Sequence, residues 1–531
     1  MSDRSVSGAG RGVGLAIAAV AALLFLVLAR HFAGLQNVWI DESTQLSGSA
    51  LPFARMFAWL AGHYEPLGVP GDRMPPVSYA LDALCGRTVC GGVIAYRWLH
   101  MIVTAAGIAG LVLLVARRYG WAGAVVSGAF LALTPQMLAT GIEIRAYPIF
   151  FAVTVLQLWL LFGLIEAEAL SWRRLLPFAL AGVLALYTHF FGIVSSSALF
   201  TGLIAARARS WETLIRIGIA WALVLASAAG IAPFVMGASA ISQGVENAGP
   251  PGLHDLLLFA ARVVGHSSMM LHPLLMVGFA LALAALLLIA LIRLAPPVLR
   301  ALRAVADPAV AVFVALAAGL TVTVLAAFVI HGFNPLKTSY SIWMLPLIAL
   351  LIGAACAGRW RVPAMAAGAL LIAALVPMTA QFEAHGDWFV HGPERAIGEQ
   401  IDAPGRTAIV YIDDNWPYGF FPLVYRYHGQ LAQYSLWPDG KLRRIGMGGD
   451  PHTPPLSPAE LRRYDRLLLV GIELTTYHEL RAVDEGAVDS TPPPSGDLLG
   501  PAAGGWNSLN TVIRSGVYWL RMTRLQRTDA P

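Results

Sequence analysis

The sequence has 531 residues, of which 57% are hydrophobic and only 13% charged, and its mean hydropathy is +0.65. Soluble domains carry about 25% charged residues, so this composition excludes an ordinary soluble protein and indicates a polytopic membrane protein. The net charge of +5 does not indicate a nucleic-acid partner, because arginine and lysine collect in the cytoplasmic loops of membrane proteins.

About eleven apolar runs approach the ~20 residues that cross a bilayer as a helix. The first follows a short basic segment and lacks a convincing cleavage site, so we expect a retained helix rather than a signal peptide. Runs 174–188 and 190–206 are short, and the polar pair Thr188-His189 between them is also consistent with a break in a bent hairpin. The runs lie near residues 13–30, 96–116, 121–140, 147–166, 174–188, 190–206, 214–237, 273–294, 308–330, 339–358 and 362–380.

Basic residues alternate between successive connections and so predict the orientation. Arg4 and Arg11 precede the first run, and the other clusters fall in every second connection: Arg117, Arg118, Arg173, Arg174, Arg207, Arg209, Arg216, Arg293, Arg300, Arg303, Arg359 and Arg361. By the positive-inside rule the N terminus is cytoplasmic. The intervening loops and the C-terminal region then face the opposite compartment, away from cytoplasmic nucleotides.

The first outer connection, about residues 32–95, is too long to be a simple linker. Within it, residues 53–60 have apolar side chains at helical spacing, with Phe57 and Trp59 placed to lie at the membrane interface. A second segment, 75–81, starts with two prolines that suit a helix N terminus. We expect two membrane-surface helices here.

The three cysteines are too few for a disulfide framework. Cys85 and Cys90 lie in a polar loop and can pair if that loop faces an oxidising compartment. Two unpaired thiols fit the sequence equally well. Cys356 lies in an apolar run and is expected to be a packed small hydrophobic residue.

The composition changes after Ala380, because residues 381–531 are rich in Asp, Arg, Gly and Pro and have no run long enough to span. The sequence therefore predicts two domains, a transmembrane domain over 1–380 and an extracytoplasmic α/β domain over 381–531. Residues 406–412, 464–471 and 517–520 are predicted strands. Residues 457–463 are a predicted helix, and residues 483–505 a predicted mobile loop.

The acidic pair Asp41-Glu42 follows the first apolar run. Ionisable groups at membrane depth are costly and usually mark a pathway or a site. The plainer interpretation is a solvated helix cap, where aspartate is common. The functional interpretation makes Asp41 a catalytic base, and Glu42, which points elsewhere, a residue that positions the acceptor or Asp41.

A second charged cluster, Glu143 to Tyr147, lies at the outer ends of the third and fourth runs. Arg145 suits phosphate, because its planar group makes two hydrogen bonds and stays charged; alternatively, Glu143 and Arg145 simply pair with each other. His189 lies at another outer helix end, where a structural hydrogen bond is the commoner role. Lys337 either snorkels to lipid headgroups or helps to bind the same phosphate.

These features together resemble the GT-C glycosyltransferases, in particular the protein O-mannosyltransferase and aminoarabinose-transferase-like superfamily. The resemblance covers about residues 13–380. The elements that carry it are Asp41-Glu42, Pro-Pro-x-x-Tyr at 75–79, Glu-x-Arg-x-Tyr at 143–147, Thr-His-Phe-Phe-Gly at 188–192 and the late turn with Lys337 and Tyr340. Met74 stands where such proteins often have histidine, and the late turn lacks their Arg-Tyr.

The resemblance implies a GT-C-like helical membrane protein of the bacterial inner membrane. It also implies an inverting transfer of a sugar from a polyprenyl-phosphate donor to a hydroxyl of an extracytoplasmic acceptor, with no cofactor required. Asp41 would be the catalytic base. The substrate-binding residues would be Glu42, Glu143, Arg145, Tyr147, His189, Lys337 and Tyr340. Membrane lipids would be further partners.

Two other functions remain to be weighed. A transporter or flippase of a lipid-linked sugar would be favoured by charges within spans, but here they collect at outer helix ends, and no inverted repeat is evident. A metal-dependent phosphotransferase would use His63, Glu65 and Asp72, which lack a known ligand spacing.

Overall fold

The computed structural model describes residues 8–35, 38, 40–63, 74–235, 251–265, 273–301, 308–330, 335–336, 338–384, 406–411, 431–436, 442–445, 460, 463–474, 506–515 and 518–527. Its backbone contacts divide the chain into two compact units. The helical unit comprises Met1–Gly34, Leu60–Gly62 and Arg73–His385, and the mixed unit comprises Leu35–Trp59, His63–Asp72 and Gly386–Pro531. The domain boundary expected at residue 380 stays a prediction.

Most α-helices of the described residues follow the apolar runs. The helices are α1 (Gly8–Leu35), α2 (Ile40–Ala50), α3 (Phe53–Leu60), α4 (Pro76–Thr88), α5 (Val93–Tyr119), α6 (Trp121–Leu133), α7 (Pro135–Gly141), α8 (Tyr147–Glu166), α9 (Trp172–Thr188), α10 (Gly192–Arg207), α11 (Trp211–Ser227), α12 (Leu253–Gly265), α13 (Pro273–Ala301), α14 (Pro308–Val329), α15 (Met344–Ala355) and α16 (Arg361–Ala384). Short 3-10 turns lie at Ala228–Ile231, Thr338–Ser341 and Gly358–Trp360.

Each predicted apolar run coincides with a helix or a helix pair, which confirms a polytopic helical membrane protein. Among the described residues, six helices are long and apolar enough to cross a bilayer, or seven if the bent pair α6–α7 is one span. The count of eleven crossings stays a prediction. The polar residues Thr188-His189 do mark a break, since α9 ends at Thr188 and α10 begins at Gly192.

The helix pair α6 and α7 is bent by 60° at the break between Leu133 and Pro135. Proline has no N–H and favours an extended conformation at the residue before it, here Thr134. Thr134 donates its hydroxyl to the carbonyl of Phe130, and Thr379 of α16 donates to the carbonyl of Leu133 at 2.8 Å. Side chains therefore satisfy carbonyl groups that the interrupted helix exposes.

Small residues let the helices of the helical unit approach closely. A Cβ added at Gly123 of α6 would lie 2.5 Å from the carbonyl oxygen of Gly353 at α15. Ser127, one turn along α6, donates its hydroxyl to the carbonyl of Ala349 at 2.6 Å. Close packing and interhelical hydrogen bonds are what hold membrane helices together, because lipid supplies no hydrophobic drive between them.

Five arginines of the predicted cytoplasmic connections lie at one end of the helical unit. Arg118 forms an ion pair with Glu166 at 3.2 Å, and Arg207 donates to the carbonyl of Ile165 at 3.4 Å. Three further contacts join this end, namely Arg216 with Leu170, Arg293 with Tyr119 and Arg361 with Trp121. This clustering is the asymmetry that the positive-inside rule describes.

Both expected helices of the first outer connection are present, as α3 and α4. On α3, Phe57 is exposed whereas Trp59 is fully buried. The expectation that Trp59 lies at the membrane interface was therefore wrong, and Phe53 and Phe57 form the exposed apolar face. Cys85, near the end of α4, is disulfide-bonded to Cys90.

The C-terminal part contains a six-stranded mixed sheet in the order β3-β2-β1-β4-β6-β5. The strands are β1 (Thr407–Tyr411), β2 (Ala432–Leu436), β3 (Leu442–Ile445), β4 (Arg466–Leu474), β5 (Trp506–Ser515) and β6 (Tyr518–Arg527). β1 pairs in parallel with β2 and β4, and the other three pairings are antiparallel. The three strands expected from sequence are confirmed as β1, β4 and β6. The expected loop at 483–505 and most of the expected helix at 457–463 lie outside the described residues.

Candidate active site

Asp41 and Glu42 both lie in the first turn of α2, within the mixed unit. A carboxylate is stabilised there by the partial positive charge of the helix N terminus. Asp41 is half-buried and Glu42 is fully buried, so a solvated cap does not describe Glu42. Successive residues of a helix point about 100° apart, so the two carboxylates point in different directions.

The segment between α7 and α8, residues 142–146, is buried throughout. Glu143 is 6% exposed and Arg145 only 2%. A charged side chain is this deeply buried only where charged or polar groups compensate for the loss of water. The pair is therefore part of the interior of the helical unit rather than of a lipid-facing rim.

His189 is the centre of an aromatic cluster in the helical unit. Its ring stacks on Phe150, with centroids 5.1 Å apart and planes 8° from parallel. Tyr147, Tyr340 and Phe191 lie at 5.5, 5.4 and 5.9 Å from it. Three predicted site residues, Tyr147, His189 and Tyr340, are thus brought together, and Tyr147 follows directly on the buried 142–146 segment.

The backbone fixes the orientation of His189. The N–H of Phe191 donates to His189 Nδ1 at 3.1 Å, which assigns the ring hydrogen of the neutral imidazole to Nε2. The N–H of Gly192 donates to the carbonyl of His189 at 2.7 Å. A Cβ at Gly192 would lie 2.3 Å from the backbone of Ala185, so only glycine fits this close approach.

The remaining predicted site residues are less fully described. Tyr340 is half-buried in the 3-10 turn Thr338–Ser341, whereas Lys337 lies outside the described residues. For the metal alternative, His63 is exposed, and Glu65 and Asp72 also lie outside the described residues. Within the part of the chain that the structure describes, no group of three possible metal-ligating side chains comes together.

A buried acid–histidine pair, not predicted from the sequence, lies between α4 and α5. Asp82 of α4 and His100 of α5 are both fully buried, with Oδ1 and Nε2 2.9 Å apart. Arg97, one turn before His100, is 2% exposed and donates to the carbonyl of Ala33 at 2.9 Å. Arg97 and His100 fall inside a predicted span, and an ionisable residue within a span is by default a functional hypothesis. That signal was present in the sequence.

A threonine connects this pair to the charged segment. Thr104, one turn after His100 on α5, donates its hydroxyl to the carbonyl of Gly141 at 3.1 Å. Gly141 is the last residue of α7 and precedes Glu143 by two positions. The turn of α5 that follows His100 therefore contacts the residue just before the 142–146 segment.

Comparison with known proteins places this architecture. No family model matches the sequence, and no curated protein matches it significantly. The crystal structure of ArnT from Cupriavidus metallidurans in the apo state matches with a TM-score of 0.55 and 13% identity, over 97% of this chain and 98% of ArnT. The same protein bound to undecaprenyl phosphate matches with a TM-score of 0.50 and 11% identity, over 95% and 97%.

The chain has the GT-C fold. The match to ArnT extends over nearly the whole of both chains. A cryo-EM structure of the arabinofuranosyltransferase AftD from Mycobacteria also matches, with a TM-score of 0.40 and 16% identity over 97% of this chain and 40% of AftD. The expected fold class is confirmed.

Proposed function

We propose that this GT-C protein is an inverting glycosyltransferase that moves a sugar from a polyprenyl-phosphate donor to a hydroxyl of an extracytoplasmic acceptor. The acceptor is a glycolipid, a polysaccharide or a protein. The observation that carries the proposal is the match over nearly the full length of ArnT, which has been solved with undecaprenyl phosphate bound. The buried Arg145 supports it, since a guanidinium group suits a lipid phosphate.

The reaction requires one bond exchange at the anomeric carbon of the sugar. The acceptor oxygen forms the new bond as the carbon–oxygen bond to the polyprenyl phosphate breaks, and the leaving electron pair stays on the phosphate oxygen. The acceptor proton goes to a base, for which we propose Asp41. General-base assistance of this kind is worth roughly 10²–10⁴-fold in rate.

The departing phosphate gains negative charge and needs a positive partner in place before the reaction. We assign this role to Arg145, assisted by Lys337 or His189. Glu42, Glu143, Tyr147 and Tyr340 would contact the substrates or orient these groups. The aromatic cluster around His189 supports a role for Tyr147 and Tyr340 in one binding region.

The proposed location is the bacterial inner membrane, with a cytoplasmic N terminus and a periplasmic C-terminal domain. The disulfide Cys85–Cys90 supports an oxidising compartment for the end of α4. The arginine-rich opposite end of the helical unit supports a cytoplasmic side there.

Turnover by purified, reconstituted protein tests the proposal. Undecaprenyl-phosphate-linked sugars are supplied with extracted envelope lipids, with and without a chelator, and the products are measured by mass spectrometry. Free undecaprenyl phosphate together with a mass-shifted acceptor is the expected result. Movement of intact donor across vesicles without release of undecaprenyl phosphate would instead establish a transporter, and a loss of turnover with chelator would contradict the metal-free assignment.

A further inference from the structure

The Asp82–His100 pair leaves one histidine nitrogen in a defined state. A carboxylate only accepts hydrogen bonds, so the contact of 2.9 Å assigns the ring hydrogen to His100 Nε2. In the neutral imidazole, Nδ1 then carries a lone pair that accepts a hydrogen bond. Among the described residues, Nδ1 has no hydrogen-bond partner, although His100 is fully buried.

A second buried polar atom lies on the facing helix. Ser78 is one turn before Asp82 on the same face of α4, is fully buried, and its Oγ has no partner among the residues that the structure describes. Leaving buried polar groups unpaired is destabilising, and each such group in a folded protein calls for an explanation. Two of them on packed helices offer hydrogen-bonding capacity that a polar ligand would satisfy.

The position of the Asp82–His100 pair favours the donor sugar as this ligand. Thr104 ties the His100 region of α5 to Gly141, and the segment with Arg145 begins at the next residue. In a polyprenyl-phosphate donor the sugar is bonded directly to the phosphate. With its phosphate held by Arg145, the donor would present its sugar to the region where α5 meets the 142–146 segment.

We propose that His100 Nδ1 accepts a hydrogen bond from a hydroxyl or amino group of the donor sugar, with Ser78 Oγ as a second contact. Asp82 is a positioning residue, because it holds the histidine tautomer in which Nδ1 accepts. The inference rests on the proposed function. It gives Ser78, Asp82 and His100, which have no proposed role in phosphate binding, a role in binding the sugar.

Two probes separate the sugar from the phosphate, namely undecaprenyl phosphate alone and undecaprenyl phosphate carrying a sugar that the wild-type protein turns over. The key variant is His100→Gln, whose amide reaches roughly the position of Nε2, so that it keeps the bond to Asp82 and loses Nδ1. We expect its affinity for the sugar-bearing lipid to fall about tenfold while its affinity for undecaprenyl phosphate is unchanged. Arg145→Ala serves as the contrast, since it should weaken binding of both lipids.

Two further variants keep the test decisive if His100→Gln folds poorly. Ser78→Ala removes only one hydroxyl and should weaken binding of the sugar-bearing lipid without changing binding of undecaprenyl phosphate. Asp82→Asn lets the imidazole hydrogen move to Nδ1, which then no longer accepts a hydrogen bond. This variant should therefore also bind the sugar-bearing lipid more weakly, as His100→Gln does. Melting temperatures are measured in parallel to separate binding from folding.

The outcomes are distinguishable. Variants that change the melting temperature but bind both lipids like the wild type would reduce the pair to a structural role and overturn the assignment. A changed acceptor KM with unchanged donor binding would also overturn it, because the contact would then be to the acceptor. Wild-type protein that binds neither lipid would remove the proposed function itself, and the sugar contact with it.

Discussion

Asp41 and Glu42 are neighbours in sequence, yet one is half-buried and the other fully buried. The acidic pair and its place after the first span could be recognised from sequence. Which of the two is shielded from water could not, because burial depends on residues that are distant in the chain. The half-buried Asp41 keeps the accessibility that a base for an external hydroxyl requires.

We expect Asp41→Asn to abolish sugar transfer, with a loss of at least about 10²-fold in kcat, because the amide cannot take the acceptor proton. Turnover and melting temperature are measured on protein in detergent. Glu212→Gln is the matched control, since it neutralises an exposed carboxylate on α11 and should leave turnover unchanged. Near-wild-type kcat in Asp41→Asn would exclude the base assignment.

Arg145 tests whether shape or charge matters at the phosphate. Arg145→Lys keeps the positive charge but loses the planar two-bond geometry, so we expect a raised donor KM and a smaller loss than in Arg145→Ala. Steady-state kinetics over a range of donor concentrations measure the difference. Equal donor KM in both variants and the wild type would show that another group holds the phosphate.

The sequence singled out Glu143, Arg145, Tyr147, His189 and Tyr340 as candidate substrate-binding residues. The structure brings Tyr147, His189 and Tyr340 together, and the role of all five stays a prediction. The sequence did not identify Asp82 and His100 as a pair, because these residues are 18 positions apart in the chain and lie on different helices. Nothing in the local pattern of either helix specifies the register between them. Only their packing brings the two side chains within hydrogen-bond distance.

At the scale of elements, the turn between α9 and α10 carries His189 and packs closely against the backbone of α9 at Gly192. We expect Gly192→Ala to destabilise the protein by about 1–3 kcal/mol, because its Cβ would overlap the backbone of Ala185. Thermal unfolding in detergent measures the effect. Donor KM should rise as well, since the displaced turn carries His189.

Gly218→Ala is the control for Gly192→Ala. Gly218 lies inside α11, and a Cβ there meets nothing within 4 Å. Alanine should be neutral or stabilising by up to about 1 kcal/mol. A melting temperature that is unchanged in Gly192→Ala, or lowered equally in both variants, would contradict the packing argument.

The helices were predictable from sequence because long apolar runs carry a strong local signal. Strands β2, β3 and β5 were missed for the opposite reason. Strand β5, Trp506–Ser515, interleaves polar and apolar residues, and its identity depends on pairing with β6. Similarly, β2 forms a strand because it pairs in parallel with β1, which lies 24 residues earlier in the chain.

At the scale of the whole molecule, the orientation in the membrane can be tested with single cysteines. In a background of Cys85→Ser, Cys90→Ser and Cys356→Ala, we expect Val89→Cys to react with a membrane-impermeant thiol reagent on intact cells. Trp211→Cys should react only after the membrane is opened. Both positions are highly exposed, at 80% and 74%, so neighbouring side chains do not shield them from the reagent.

Reversed labelling would place the arginine-rich end of the helical unit outside and would contradict the proposed orientation. The native cysteines supply an internal check in the unmodified protein. The disulfide Cys85–Cys90 should block alkylation until a reductant is added, and buried Cys356 should react only on unfolding.

The way the chain is shared between its two units has a practical consequence. Residues 35–59 and 63–72 group with the C-terminal part, while 60–62 group with the helices. A truncation that stops near residue 385 would therefore strip Asp41 and Glu42 of the rest of their own unit, even though both residues remain encoded. Loss of activity on deleting the C terminus would then report damage to the N-terminal loop as much as the absence of a separate module.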